Sequence, residues 1–197
     1  MSYIIVGLGN PGEAYEGTRH NAGRMILDNL RQSIDAAFEF DKKKNAQIAV
    51  GKIGAEKVTL VAPDTFMNNS GKAVAMLVKS AKAAEKLIVI YDDFNLPLGR
   101  IRISYDRGDG GHNGLASIIK SLRTTAFARI RLGTAPENVK GQAKVPHGEE
   151  KIEKFILGPF RADELKTLKA ASKKAVGAVE MIVTEGREKA MSLYNAG

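Results

Sequence analysis

Hydrophobic and polar positions change their spacing along the chain in a way that separates strands from helices. Short apolar runs without helical spacing predict strands, and a turn at Gly54-Ala55 joins two of them into a hairpin. The run at 87–91 (Leu-Ile-Val-Ile-Tyr) is almost wholly apolar, which is typical of a strand buried on both faces of a parallel sheet. The predicted strands are 3–6, 48–53, 57–62, 87–91, 98–105 and 128–132.

Apolar residues spaced three and four apart predict helices between most of these strands. The predicted helices cover 21–38, a stretch after Ser70, a stretch from about 113, 149–157, 161–185 and a short segment after Gly186. Strands that alternate with helices predict an α/β fold with a mixed, mostly parallel twisted sheet surrounded by helices. We expect a single domain, residues 1–197, in which 134–197 forms a long exposed loop (134–148) and C-terminal helices packed on the sheet.

Polar clusters follow three of the predicted strands. Gly9-Asn10 follows the first strand, 65–68 follows the hairpin, and Asp92-Asp93 ends the buried strand. In sheets of this kind, ligands bind beyond the carboxyl ends of the strands. The sequence therefore predicts a site at that edge.

Composition narrows the chemistry. The absence of Cys excludes disulfides, thiolate metal sites and a cysteine nucleophile, and it fits a reducing cytoplasm. No apolar run approaches the roughly 18 residues of a membrane span, so we expect a cytoplasmic protein without a membrane partner. The formal net charge of +8 suggests a polyanionic partner such as nucleic acid, although a basic protein without such a partner is equally compatible with the total. Residues 99–131 concentrate the charge, with seven basic and two acidic side chains.

His20 is the leading candidate for catalysis. It lies where a polar loop meets the first predicted helix, and an imidazole titrates near neutral pH. A carboxylate of Asp92 or Asp93 can accept a hydrogen bond from such a ring and fix its tautomer. Two simpler interpretations stay open, because a lone His is more often structural and paired Asp residues often cap a strand.

The remaining candidates favour hydrolysis by water. With no Cys and no G-x-S-x-G motif, a water molecule activated by His is the simplest hydrolytic chemistry. The side-chain amides of Asn10, Asn68 and Asn113 can bind a peptide or stabilise an oxyanion, although each alone is more often a turn residue. The three His residues lack metal-ligand spacing, so no metal site is predicted.

The segment 7–12 (GLGNPG) also matches the dinucleotide-binding fingerprint, which makes a nucleotide-dependent oxidoreductase an alternative. Two features oppose it. Pro11 removes a backbone N–H from the phosphate cradle, and 13–21 continues as a polar loop where the fingerprint requires a helix. A tight turn is the simpler explanation of these glycines.

Five groups of residues, in order along the chain, resemble bacterial peptidyl-tRNA hydrolases. Each alone is modest, but together they span most of the chain and are highly specific. They are 6–12 (VGLGNPG) with Tyr15 and 18–23 (TRHNAG); Pro63 with 65–71 (TFMNNSG); Asp92-Asp93 with Leu96-Pro97 and Gly99; 110–115 (GGHNGL) with Ser117-Ile118; and 155–160 (FILGPF).

The resemblance implies hydrolysis of the ester between a peptide and the 3′-terminal ribose of tRNA, by a monomer without metal or another cofactor. It implies that His20 is the general base that activates water and that Asp93 is its orienting partner. The residues it places in the substrate cleft are Asn10, Tyr15, Phe66, Met67, Asn68, His112 and Asn113. We expect the tRNA acceptor arm to contact Arg102, Arg107, Arg131, Lys169 and Lys173.

Two departures from the family pattern concern tRNA binding. Ser104 stands where many members have Lys, and 133–136 (GTAP) follows Arg131 where many members have Gly-Ile-Gly-Arg-Pro. Arg102 or Arg107 can supply the missing phosphate contact. A non-catalytic RNA-binding relative that keeps the fold and the basic surface is a second hypothesis, which the presence of both His20 and Asp93 disfavours.

Overall fold

The computed structural model describes residues 2–196 and contains a seven-stranded sheet in the order β2-β3-β4-β1-β5-β7-β6. Its strands are β1 (Tyr3–Gly7), β2 (Glu39–Asp41), β3 (Ala46–Ile53), β4 (Glu56–Pro63), β5 (Leu87–Pro97), β6 (Ile101–Tyr105) and β7 (Ala128–Ala135). The helices are α1 (Ala22–Ser33), α2 (Ser70–Ala75), α3 (Ala81–Ala84), α4 (Asn113–Leu122), α5 (Glu149–Ile156), α6 (Ala162–Glu185) and α7 (Arg187–Tyr194). None of the helices within residues 2–196 has the length and hydropathy that a membrane span requires.

Five of these strands, β2, β4, β1, β5 and β7, run in one direction, and β3 and β6 run in the other. β4, β1, β5 and β7 form consecutive parallel pairs. The predicted mixed, mostly parallel α/β fold is therefore confirmed. Because β4, β1 and β5 are parallel, their carboxyl ends lie at one edge of the sheet, and the three polar clusters meet there.

The sheet is covered by helices on both faces, and alternate residues of β5 contact each cover. Ile88 and Ile90 belong to the core cluster shared with α1 and α6. Val89 and Tyr91 belong to the cluster shared with α2 and α4. Because successive side chains of a strand point to opposite faces, the polar residues after Tyr91 also alternate between the two faces of the sheet.

The predicted elements differ from the structure at several places. α1 ends at Ser33, well before residue 38, because Asp35 adopts a left-handed φ of 49° and closes the helix. The short edge strand β2 was not predicted. β5 continues to Pro97 because its polar residues still pair with β7. β7 likewise continues to Ala135 with its last residues buried, so the exposed loop begins at 136.

Candidate active site

A close approach between α1 and the sheet places the site. The backbone N–H of Arg24 donates to the Leu8 carbonyl at 3.0 Å, just beyond the end of β1. A Cβ added at Gly23 would lie 2.7 Å from Leu8 N, so only glycine permits this packing. The 3₁₀ turn Arg19–Asn21, which precedes α1, is thereby held over the strand ends with all three of its residues buried.

His20 contacts the carboxylate of Asp92. Its Nδ1 lies 3.0 Å from Oδ1 and 3.1 Å from Oδ2, and the two residues are 5% and 2% exposed. A carboxylate accepts only, so Nδ1 carries the proton and donates it. Nε2 of His20 is then the unprotonated nitrogen, the form that a general base requires.

The expected pairing of His20 with Asp93 is wrong. Successive side chains of a strand point to opposite faces, and Asp92 shares the face of Ile90, against which α1 packs. Asp93 points to the other face, where its Oδ2 accepts from Nε of Arg131 at 2.7 Å and its Oδ1 accepts from Asn95 N at 2.8 Å. Of the two carboxylates left open by the strand pattern, Asp92 is the one that orients His20.

His112 binds the same carboxylate from the start of α4. Its Nδ1 accepts from the backbone N–H groups of Gly114 and Leu115 at 3.2 and 3.4 Å, which places the ring proton on Nε2. Nε2 then donates to Asp92 Oδ1 at 3.1 Å. The two imidazole rings lie 4.9 Å apart between centroids. Asp92 therefore accepts from two histidines, only one of which keeps a free basic nitrogen.

Two opposing effects, burial and the charges of neighbouring groups, shift the pKa values of His20 and Asp92. Burial lowers the pKa of His20, but the adjacent Asp92 charge and hydrogen bond outweigh it, so the pKa is raised from 6.5. Burial raises the pKa of Asp92, but His20 and His112 outweigh it and hold that pKa far below its usual range. Asp92 thus stays ionised and stabilises the imidazolium that His20 forms when it accepts a proton.

The ligand atoms of His20, Asp92 and His112 lie within 4.8 Å of one another, a grouping that sequence spacing did not predict. Donor types suited to Zn²⁺ are therefore present. The tautomer of His112 opposes coordination, because its Nδ1 already accepts two backbone hydrogen bonds and its Nε2 carries the proton. A metal ligand must offer a lone pair there, so the arrangement suits a hydrogen-bonded relay better than a metal site.

Two hydrogen bonds with Asn21, both to the backbone of Asn10, hold Asn10 in place. Asn10 N donates to Asn21 Oδ1 at 2.8 Å, and Asn21 Nδ2 donates to the Asn10 carbonyl at 2.9 Å. The Asn10 side chain accepts through Oδ1 from Met67 N at 2.8 Å. Its Nδ2 makes no hydrogen bond to another residue within 2–196, so a donor remains available beside His20.

These residues line a cleft of about 650 Å³. Every expected substrate residue is on its surface: Asn10, Tyr15, Phe66, Met67, Asn68, His112 and Asn113, together with His20 and Asp92. A Cβ on Gly114 would lie 2.5 Å from Met67 Sδ, which shows how closely α4 approaches that wall. Asp93 does not line the cleft.

A further part of the cleft wall was not predicted as part of the site. It consists of Glu149, Ile152, Glu153 and Ile156 of α5, followed by Leu157. The pattern over 149–157 did predict this helix. Nothing in the sequence indicated that it faces His20, because the chain between them is more than a hundred residues long.

The expected tRNA residues divide into two groups. Arg107 and Arg131 line a cavity of about 330 Å³ that shares Asp92 and His112 with the cleft. Arg102 joins those two arginines around an adjacent cavity of about 480 Å³, and Ser104 lines both. Lys169 and Lys173 are exposed on α6 and line neither cavity.

The loop after β1 does not have the geometry of a dinucleotide site. Gly12 adopts a φ of 100°, and the residues after it form a 3₁₀ turn, Glu13–Tyr15, in place of the helix that would hold a pyrophosphate. The glycines instead form a turn that brings Asn10 to the cleft.

Comparison with known proteins assigns the chain to a family. The family model described as peptidyl-tRNA hydrolase matches residues 4–197. A peptidyl-tRNA hydrolase of Lachnospira eligens is 40% identical over 98% of this chain and 99% of its own length. One from Geobacter sp. (strain M21) is 41% identical over 98% and 97%.

A solved structure gives the same result for the fold. The crystal structure of peptidyl-tRNA hydrolase from Acinetobacter baumannii superposes with a TM-score of 0.88 at 31% identity, covering 99% of this chain and 95% of that one. The chain therefore belongs to the peptidyl-tRNA hydrolase family.

Proposed function

We propose that this protein hydrolyses the ester bond between a peptide and the 3′-terminal ribose of tRNA, with His20 as the general base. The observation that carries the proposal is the contact between His20 Nδ1 and Asp92 in the wall of the cleft. It leaves Nε2 unprotonated, in a ring whose charged form is stabilised by the adjacent carboxylate.

The reaction begins when Nε2 of His20 accepts a proton from a water molecule. The water oxygen attacks the ester carbonyl carbon, the carbonyl π bond opens, and a tetrahedral oxyanion forms. Asp92 stabilises the imidazolium during this step. The bond to the ribose oxygen then breaks, and His20 returns the proton to that oxygen. The products are a tRNA with its terminal hydroxyl restored and a peptide with a free carboxylic acid, which releases its remaining proton to solvent and becomes a carboxylate.

Amide side chains supply the donors for the oxyanion and the peptide. Asn10 presents Nδ2 beside His20, and Asn68 and Asn113 are exposed at the cleft. We assign to these three residues the stabilisation of the oxyanion and the binding of the peptide backbone. Tyr15, Phe66 and Met67 provide apolar surface for the side chains of the peptide.

We assign the acceptor arm of tRNA to the groove formed by Arg102, Arg107 and Arg131. It adjoins the cleft through the shared residues Asp92 and His112, so a bound tRNA can place its 3′ end beside His20. The guanidinium groups suit phosphate oxygens. Lys169 and Lys173 stay a prediction, as do the monomeric state and the cytoplasmic location.

The test is cleavage of an N-acetylated aminoacyl-tRNA measured across a series of salt concentrations. We expect turnover without added metal and a KM that rises with salt. Binding of basic side chains to tRNA phosphates releases counterions, so a higher salt concentration weakens binding. Tight, salt-dependent binding of tRNA without turnover would support the non-catalytic RNA-binding relative and contradict the proposal.

A further inference from the structure

Arg19, the residue before His20, is buried, and both of its terminal guanidinium nitrogens contact the segment that follows α5. It is 7% exposed, and its Nη2 lies 2.7 Å from Glu164 Oε2. Its Nη1 donates to the carbonyls of Gly158 and Pro159 at 3.2 and 2.7 Å. The guanidinium also lies over two aromatic rings, those of Phe155 at 4.6 Å and Phe160 at 5.3 Å.

The backbone strengthens the same junction. Arg19 N donates to the Gly158 carbonyl at 3.1 Å, and Phe160 N donates to the Gly17 carbonyl at 3.1 Å. Glu164 is 3% exposed, and its Oε2 also accepts from Arg161 N at 2.7 Å at the start of α6. The link between the turn Arg19–Asn21 and residues 158–164 is therefore polar, largely buried and specific in geometry.

The wall formed by α5 depends on this junction because the helix has little packing of its own. None of its residues is buried. Its inner face gives Ile152 and Ile156 to the cleft, and its last turn carries Phe155, the ring that Arg19 covers. The separation between this wall and His20 is thus fixed at the end of α5 nearest Arg19.

We propose that Arg19 is a positioning residue that holds α5 at a fixed separation from His20 and thereby sets the affinity of the cleft for the peptide part of the substrate. The inference rests on the proposed function. Residues of the peptide beyond the one esterified to tRNA contact the α5 wall, so the contribution of Arg19 grows with peptide length.

Lysine cannot replace arginine in this role. A lysine keeps a positive charge for Glu164, but it lacks the planar fork that contacts two carbonyls and a carboxylate together, and it stacks less well on aromatic rings. Arg19→Lys therefore loosens the wall while leaving the His20–Asp92 contact in place.

The experiment compares N-acetyl-aminoacyl-tRNA with an N-acetyl-tripeptidyl-tRNA that carries the same esterified residue. For Arg19→Lys we expect KM for the tripeptidyl substrate to rise on the order of tenfold, the loss of about one well-placed hydrogen bond to a charged group. KM for the shorter substrate, kcat for both, and the pH dependence of kcat stay near the wild type. Arg161→Lys is the matched control, because Arg161 also lies near Glu164 (3.6 Å) but its side chain is 66% exposed.

Hydrogen exchange supplies a readout that does not depend on turnover. In Arg19→Lys the amides of α5 should exchange faster while those of α4 do not change. If that variant does not fold, Glu164→Gln carries the same test. An equal rise in KM for both substrates, or unchanged exchange in α5, overturns the role of Arg19. Absence of turnover of both substrates by the wild type overturns the proposed function instead.

Discussion

Nδ1 of His20 lies 3.0 Å from Oδ1 of Asp92, and this contact selects one of two adjacent carboxylates for catalysis. Asp93, the next residue, is bound to Arg131 on the other face of the sheet. We expect Asp92→Asn to reduce kcat by up to about 10⁴-fold, because an amide in place of the carboxylate can hold the His20 ring in the wrong tautomer and no longer stabilises the imidazolium. Asp93→Asn is the matched control and should leave kcat near the wild type. Both are measured as cleavage of N-acetyl-aminoacyl-tRNA, and a larger loss in Asp93→Asn would restore the pairing expected from the family resemblance.

The pH dependence of kcat/KM reports the pKa of His20 in the free enzyme. The base acts in its neutral form, so activity should rise with pH through a midpoint above 6.5, the direction in which Asp92 moves this pKa against the effect of burial. In Asp92→Asn the charge is lost and burial remains. The residual activity should therefore have its acid limb at lower pH than the wild type. An unchanged or higher midpoint would show that Asp92 does not set the pKa of the base.

Asn21 should be required for both stability and activity, because its side chain satisfies the backbone N–H and carbonyl of buried Asn10. In Asn21→Ala we expect the free energy of unfolding to fall by about 2 kcal/mol or more, since each buried group without a partner costs about 1–3 kcal/mol. We expect kcat/KM to fall at least about tenfold as Asn10 moves from its place beside His20.

Asn29→Ala is the control for that change. Asn29 lies on α1 and donates a single side-chain hydrogen bond, to Ser172 Oγ at 2.6 Å. Its loss should lower stability without lowering kcat/KM of the folded protein. Both variants are assayed without denaturant, under conditions in which they are folded. Equal effects of the two substitutions on kcat/KM would contradict a positioning role for Asn21.

The arginine groove should carry the salt dependence of tRNA binding. We expect Arg102→Gln and Arg107→Gln each to weaken binding and to reduce the slope of log Kd against log salt by about 1, the effect of one lost phosphate contact. Lys52→Gln serves as the control, since Lys52 is exposed on β3, near the opposite edge of the sheet from β6. Binding is measured with deacylated tRNA. Unchanged slopes in both arginine variants would place the tRNA elsewhere.

The sequence predicted the sheet and the edge at which the site lies, because apolar runs report burial and parallel strands share their carboxyl ends. The choice between Asp92 and Asp93 needed the structure. A difference of one residue along a strand reverses the face of the side chain, and the strand pattern had left both carboxylates open. The sequence also did not predict that α5 forms a wall of the cleft. The sequence pattern predicted the helix, but its place in the same cleft as His20 depends on contacts with Arg19, which lies far away along the chain.

The most direct test is single-turnover cleavage of N-acetyl-aminoacyl-tRNA by His20→Ala beside the wild type and His147→Ala. His147 is exposed and does not line the cleft, so it controls for the loss of a histidine. We expect His20→Ala to cleave about 10²- to 10⁴-fold more slowly, the usual contribution of a general base, and to keep its tRNA affinity. His147→Ala should cleave at the wild-type rate. Cleavage by folded His20→Ala at the wild-type rate would contradict the assignment of His20 as the base that activates water.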